Sequence, residues 1–320
     1  MRNQFTLDLI IPIYKPDEKL NQLIDRIMEQ TVLPNNIFLL HTVDTTNNNV
    51  VIETLKSLEY INGLNNPICR ITIKNIDKKD FDHGGTRNLG AKLSSADIIM
   101  FMTQDAVPGD KKLIESLMEP LYNEKVASAY ARQLPNAGAS VLEKYSRTFN
   151  YPPESLIKSK EDIDKLGIKT YFCSNVCAAY KRDVYESLGG FTTKTIFNED
   201  MIMAYYVIKN DYKIAYTAKA KVYHSHEYNN IAQFKRNFDL AVSQEQYSFI
   251  FANVKSETEG IKFVKNTISY LINHKKAYLI PEFIIQSGFK YLGYKLGRNY
   301  KKLPVTIIKK LSMNPTYWNK

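Results

Sequence analysis

Cysteine is scarce in this chain: Cys69, Cys173 and Cys177 are an odd number set in apolar surroundings. A disulfide framework is therefore not expected, and a reducing compartment fits better. No second Cys or His pair follows Cys173 and Cys177 at a zinc-ligand interval, so the thiols read as buried and chemically silent. Long apolar runs are missing as well. A bilayer-spanning helix needs roughly 20 apolar residues, and the nearest stretch, residues 278–285, contains Pro281 and Glu282. The opening run Leu7–Tyr14 is interrupted by Asp8 and Pro12, too short for a secretory signal, and reads as a first strand. A cytoplasmic protein not integral to a membrane is expected. No G-x-G-x-x-G follows a strand, which argues against a dinucleotide-dependent oxidoreductase, and no internal repeat or low-complexity tract is visible.

What is present begins with size and charge. The 320 residues, 44% of them hydrophobic, suffice for one large domain with an appendage. The formal charge of +10 has a location: residues 255–320 hold 13 Lys and Arg against Glu257, Glu259 and Glu282, which accounts for the whole excess. The balanced remainder argues against a nucleic-acid partner. Aromatic residues accompany the basic ones, among them Phe263, Tyr270, Tyr278, Phe289, Tyr291, Tyr294 and Trp318. That mixture suits an anionic membrane surface, with a solvated helical face as the alternative.

Short apolar runs alternate with amphipathic segments through the first half. The pattern predicts strands at 7–14, 37–43, 70–76 and 97–102, and helices at 17–30, 50–60, 86–95 and 111–123. This β-α-β-α order implies an α/β, doubly wound sheet that is mainly parallel and flanked by helices, with ligands beyond the strand carboxyl ends. Further strands are expected near 126–131, 170–180 and 213–223, and a helix over Glu199–Lys209. From Ile231 the pattern turns helical, which divides the chain into residues 1–230 and a helical, basic, aromatic-rich region 231–320.

Four segments carry chemistry. Asp105 follows the run Ile98-Ile99-Met100-Phe101-Met102, where a hard cation could bridge it to a diphosphate or where it serves as a turn residue. In Phe81-Asp82-His83-Gly84-Gly85-Thr86-Arg87-Asn88-Leu89-Gly90, two glycines precede a helix start that favours anions, with Arg87 as a phosphate fork; the alternative is a Gly-Gly turn with a surface arginine. Glu199 and Asp200 stand at a helix start, as caps or as a general base. His224 and His226 end a strand on one side, as metal ligands or as an edge feature.

In this order the segments resemble the family 2 glycosyltransferases of the GT-A fold, bacterial rhamnosyltransferases most closely, over roughly residues 5–230. Leu9-Ile10-Ile11-Pro12-Ile13-Tyr14-Lys15 is similar to the family's first strand, Gly85-Thr86-Arg87-Asn88-Leu89-Gly90 to its donor loop, and Leu188-Gly189-Gly190-Phe191, Glu199-Asp200 and His226 to its acceptor half. The resemblance implies donor contacts at Pro12, Tyr14, Asp82, His83, Arg87, Gln104 and Asp105. Asp105 would close a reduced DxD-type motif, Thr103-Gln104-Asp105, and hold Mg2+ or Mn2+ with His226. Asp200 would be the catalytic base and Glu199 an orienting residue. The implied donor is a nucleotide sugar, dTDP-L-rhamnose above others. The implied acceptor is a glycan, or a polyprenyl-linked glycan, met by a peripheral protein at the inner face of the cell membrane.

Two departures from the family pattern stand out. The second strand leads into Asp44 through Leu40-His41-Thr42-Val43 rather than into an acidic residue with a short Gly/Ser turn, so Asp44 is the nucleoside contact by position alone. The Gln-x-x-Arg-Trp motif of processive synthases is absent, since the only tryptophan is Trp318. A sugar nucleotidyltransferase would need a Gly-rich, Arg-containing loop where Tyr14-Lys15-Pro16-Asp17 stands. A non-catalytic binder of glycolipid or nucleic acid is the rival outside enzymology.

Overall fold

The computed structural model describes residues 5–43, 48–64, 68–226, 228–252 and 256–319. Among them nine strands form one sheet. In chain order these are β1 (Leu7–Tyr14), β2 (Asn36–Val43), β3 (Arg70–Asp77), β4 (Ile98–Met102), β5 (Val107–Pro108), β6 (Val126–Leu134), β7 (Leu156–Lys158), β8 (Cys177–Lys181) and β9 (Lys213–Tyr223). Their spatial order is β3-β2-β1-β4-β8-β6-β9-β5, with β7 on β9. The first four run parallel; β8 lies antiparallel between β4 and β6, and β9 is parallel to β6. The expected mainly parallel α/β sheet is thus present, with a mixed side the alternation did not resolve.

Local sequence explains the parallel side. Asp17 caps the helix Glu18–Met28 by accepting the Lys19 N–H at 3.0 Å. Leu20, Leu23, Ile24 and Ile27, at the spacing of one helical face, are all buried. The helix His83–Leu93 starts three residues earlier than expected, because the Asp82 carboxylate accepts the Gly85 N–H at 2.7 Å and so caps it there. Its glycines serve packing. A Cβ on Gly84 would stand 2.0 Å from the Thr192 carbonyl oxygen, and one on Gly90 2.4 Å from an Ile10 methyl.

The mixed side differs more from expectation. The strand expected at 170–180 is confined to β8, preceded by a 3-10 turn at Gly167–Tyr171. The helix Val141–Asn150 and strand β7 interrupt what reads in sequence as irregular chain. The expected 111–123 helix stops at Met118 and continues as a 3-10 turn, Glu119–Tyr122, around Pro120.

Beyond the sheet come helices Asn230–Gln246, Ser256–Asn273, Ile280–Arg298 and Val305–Leu311. Phe238, Val242 and Ile308 join Ile196 in one buried cluster, and Leu271 and Phe283 join Leu142 in another, so these helices share core with the sheet side. All three cysteines are buried and free. Among the described residues no helix is long and apolar enough to cross a membrane.

Candidate active site

Strand pairing brings the chemistry-bearing segments together. After β4 the chain turns, with the Ala106 N–H donating to the Thr103 carbonyl at 3.1 Å. The two residues of β5 then pair with the end of β9, Val107 opposite Tyr223 and Pro108 opposite Val222. That register sets Asp105 beside the residues following Tyr223. Asp105 Oδ2 lies 3.5 Å from His224 Nε2 and 3.3 Å from His226 Nε2. The ligand atoms of Asp105, His224 and His226 fall within 4.8 Å of one another, a cluster able to hold a metal ion.

The surroundings of His224 fix its chemistry. Gln133 and His224 are neighbours because β6 and β9 pair there, Gln133 opposite Val222 and Leu134 opposite Tyr223. The Gln133 amide nitrogen donates to Ser174 Oγ at 3.0 Å, and Arg147 donates to its carbonyl oxygen. With that oxygen an acceptor, His224 Nδ1, 3.0 Å away, carries the proton. Nε2 therefore presents a lone pair toward a carboxylate. Two acceptors facing each other repel unless a cation stands between them, and an imidazole with its far nitrogen anchored is the usual form of a metal-binding histidine. Burial lowers the pKa of His224 to about 3, overriding the attraction of Asp105, and lowers that of His226 for the same reason, so both are neutral.

The second group surrounds the start of helix Glu199–Lys209. Asn198 enters it in a left-handed conformation, φ 65°, and its amide donates to the Leu240 carbonyl at 3.3 Å. Asp200 Oδ1 accepts the N–H of Met201 at 2.8 Å, while Oδ2 has only a long contact, 3.4 Å, from the Asn175 N–H. Asp200 is surrounded by protein yet keeps partial solvent access. Burial, then the neighbouring Glu199 charge, raises its pKa to about 7, where a carboxylate serves as a base near neutrality.

The donor-side expectations fall out unevenly. Gln104 accepts the Tyr14 N–H at 2.8 Å and donates to the Tyr14 carbonyl at 3.0 Å, tying the ends of β1 and β4 together. The Tyr14 ring is exposed and Pro12 partly so. Asp82 spends one oxygen on its cap and the other on the Lys194 N–H at 2.9 Å. His83 is partly exposed, packs edge-on to Phe81, and burial lowers its pKa. Arg87 turns inward: it pairs with Glu199 at 3.0 Å, both side chains about one-tenth exposed or less, and donates to the His83 carbonyl at 2.9 Å. Asp44 lies outside the described residues.

Sequence reasoning missed Gln133, Ser174 and Arg147, which carry no local signal. It also missed Arg236. The guanidinium sits over the Phe197 ring, 4.6 Å from its centroid, and makes no hydrogen bond or ion pair among the described residues. Its charge bears on Asp200, His83, His224 and His226. A signal existed. Gln233-Phe234-Lys235-Arg236 matches the first four positions of Gln-x-x-Arg-Trp, hidden because Asn237 replaces the tryptophan.

Comparison with known proteins identifies the family. The profile of Glycosyl transferase family 2 matches residues 8–189. O-antigen chain rhamnosyltransferase RfbN of Salmonella typhimurium is 40% identical over 315 residues, covering 98% of this chain and 96% of that protein. O-antigen chain rhamnosyltransferase WbaN of Salmonella anatum is 37% identical, covering 97% and 95%. Among solved structures, the mannosyltransferase PcManGT of Pyrobaculum calidifontis, in complex with GDP-Man and Mn2+, superposes with a TM-score of 0.63 at 12% identity, covering 94% of this chain and 89% of that one. The chain belongs to glycosyl transferase family 2 and is a rhamnosyltransferase-like glycosyltransferase.

Proposed function

We propose that the protein transfers L-rhamnose from dTDP-L-rhamnose, with inversion, to a hydroxyl of a lipid-linked glycan during synthesis of a bacterial cell-surface polysaccharide. The observation that carries the reading is the pairing of an Asp105–His224–His226 cluster with a carboxylate, Asp200, whose pKa is raised toward neutrality. The two rhamnosyltransferases named above support the choice of sugar.

Asp105, His224 and His226 would hold Mg2+ or Mn2+, and two neutral imidazoles beside one carboxylate suit Mn2+ better than Mg2+. A bound ion supplies Lewis-acid stabilisation of the departing diphosphate. Asp200 Oδ2, the less occupied oxygen, takes the acceptor proton as the acceptor oxygen bonds to the anomeric carbon and the bond from that carbon to the diphosphate breaks. Arg236, whose charge bears on Asp200, would stabilise the negative charge that develops on the diphosphate. Pro12, Tyr14, Gln104 and Asp105 contribute the donor surface at the strand ends, while Arg87 acts through Glu199, whose carboxylate it holds next to Asp200.

The test is nucleoside diphosphate release from dTDP-L-rhamnose, UDP-sugars and GDP-sugars, with Mn2+, Mg2+ or a chelator. Metal-dependent dTDP release with Mn2+ above Mg2+ is expected. No release from any donor sinks the reading.

A further inference from the structure

Helix Ile280–Arg298 has two apolar faces, and the protein covers only one. Phe283, Gly293 and Gly297 are buried against the rest of the chain. The last two sit so close to helix Asn230–Gln246 that a Cβ on them would stand 2.2 and 2.3 Å from the carbonyl oxygens of Phe234 and Phe238. On the other side Ile284, Ile285, Tyr291 and Leu292 are 48, 54, 57 and 53% exposed. Together with Gly288, Lys295 and Leu296 they recur at steps of about three and four residues, which is one helical face. That face runs about 18 Å from Ile284 to Leu296, and Tyr278, 75% exposed, precedes it. Single exposed apolar side chains are ordinary; a contiguous stripe marks a partner.

Charge selects the partner. Lys275 and Lys276 precede the stripe, Lys295 lies in it and Lys302 follows, while Lys301 pairs with Glu245 at 3.4 Å, within a region that holds the chain's entire positive excess. A second copy would bring the same excess and be repelled, whereas an anionic bilayer attracts it. We infer that this face of helix Ile280–Arg298 lies in the headgroup region of an anionic bilayer, with Ile284, Ile285, Tyr291 and Leu292 inserted and the lysines on lipid phosphates. The inference deepens the reading of a lipid-linked acceptor and rests on it for its purpose. The covered side of the same helix packs on helix Asn230–Gln246, which carries Arg236, so the docking face is one helix away from the candidate site.

The experiment is flotation of the full-length protein with phosphatidylcholine vesicles containing about one third phosphatidylglycerol, at low and high salt. The wild type floats at low salt and less at high salt. The double variant Ile285→Glu, Leu292→Glu loses roughly tenfold or more of this partitioning, with unchanged thermal melting because both side chains are exposed. It keeps metal-dependent hydrolysis of dTDP-L-rhamnose. Failure of the wild type to float, or equal flotation of the double variant, overturns the inference. So does a concentration-dependent dimer, seen by size-exclusion chromatography, that the substitutions dissolve. Wild-type protein that floats but turns over no nucleotide sugar would overturn the functional reading and leave the docking face standing.

Discussion

The parallel side of the sheet and the mixed side place their functional groups by different means. On the parallel side, Tyr14 and Gln104 sit just past the paired part of two adjacent strands, and a single side chain, that of Gln104, bonds both backbone groups of Tyr14. On the mixed side, His224, Gln133, Ser174 and Arg147 come from four separate segments and are held by side-chain hydrogen bonds that converge on the Gln133 amide. The first arrangement leaves the Tyr14 ring exposed at the strand ends. The second fixes the tautomer of His224. Substitutions should therefore have graded effects on the parallel side and steep ones on the mixed side.

The steepest is Asp200→Asn. Loss of the general base should reduce kcat by on the order of 100- to 10,000-fold, with donor affinity retained, as read by steady-state transfer assays and calorimetric titration. Next comes the buried pair. Arg87→Met leaves the Glu199 charge without its partner in a nearly dry site, and breaking such a pair costs about 3–5 kcal/mol. Denaturant unfolding should show that loss, and Arg87→Met combined with Glu199→Leu should recover part of it. A smaller effect is expected from Gln133→Leu, which releases the His224 tautomer: metal affinity should fall about 10- to 100-fold, with the fold intact by circular dichroism.

The pH dependence is the gentlest test. Asp200 must lose its proton to act, so kcat/KM should fall about tenfold per unit as pH drops below about 7. Stability runs the other way. With the folded pKa raised above the ordinary carboxylate value of 3.8, the native state holds a proton that the unfolded chain has given up in the window between them. The group's stabilising contribution is present at low pH and lost as pH rises through about 7. Asp200→Asn should accordingly melt higher than wild type at about pH 8 and level with it at about pH 4.

How much was legible in sequence follows the same division. Strands β1, β2 and β4 announce themselves as short apolar runs buried nearly throughout, and helix Glu18–Met28 by the spacing of its one buried face. Asp105, Asp200 and His226 entered as candidates through resemblance, and the structure brings Asp105 and His226 together. Whether His224 or His226 faces a metal could not be read, because both reach Asp105 only through the register of β5 on β9. Glycines 84 and 85 read as preceding a helix start, yet both lie within the helix and Gly84 packs on the Thr192 carbonyl. Arg87 read as a phosphate fork because its partner lies 112 residues away. Arg236 was hidden by a motif defined on its tryptophan.

The division of labour can be measured directly by calorimetric titration of dTDP with Mn2+ into His224→Gln and Asp200→Asn. The account predicts that His224→Gln loses Mn2+-dependent dTDP binding while Asp200→Asn binds as wild type does. Equal binding by both variants, or loss in Asp200→Asn alone, would contradict it.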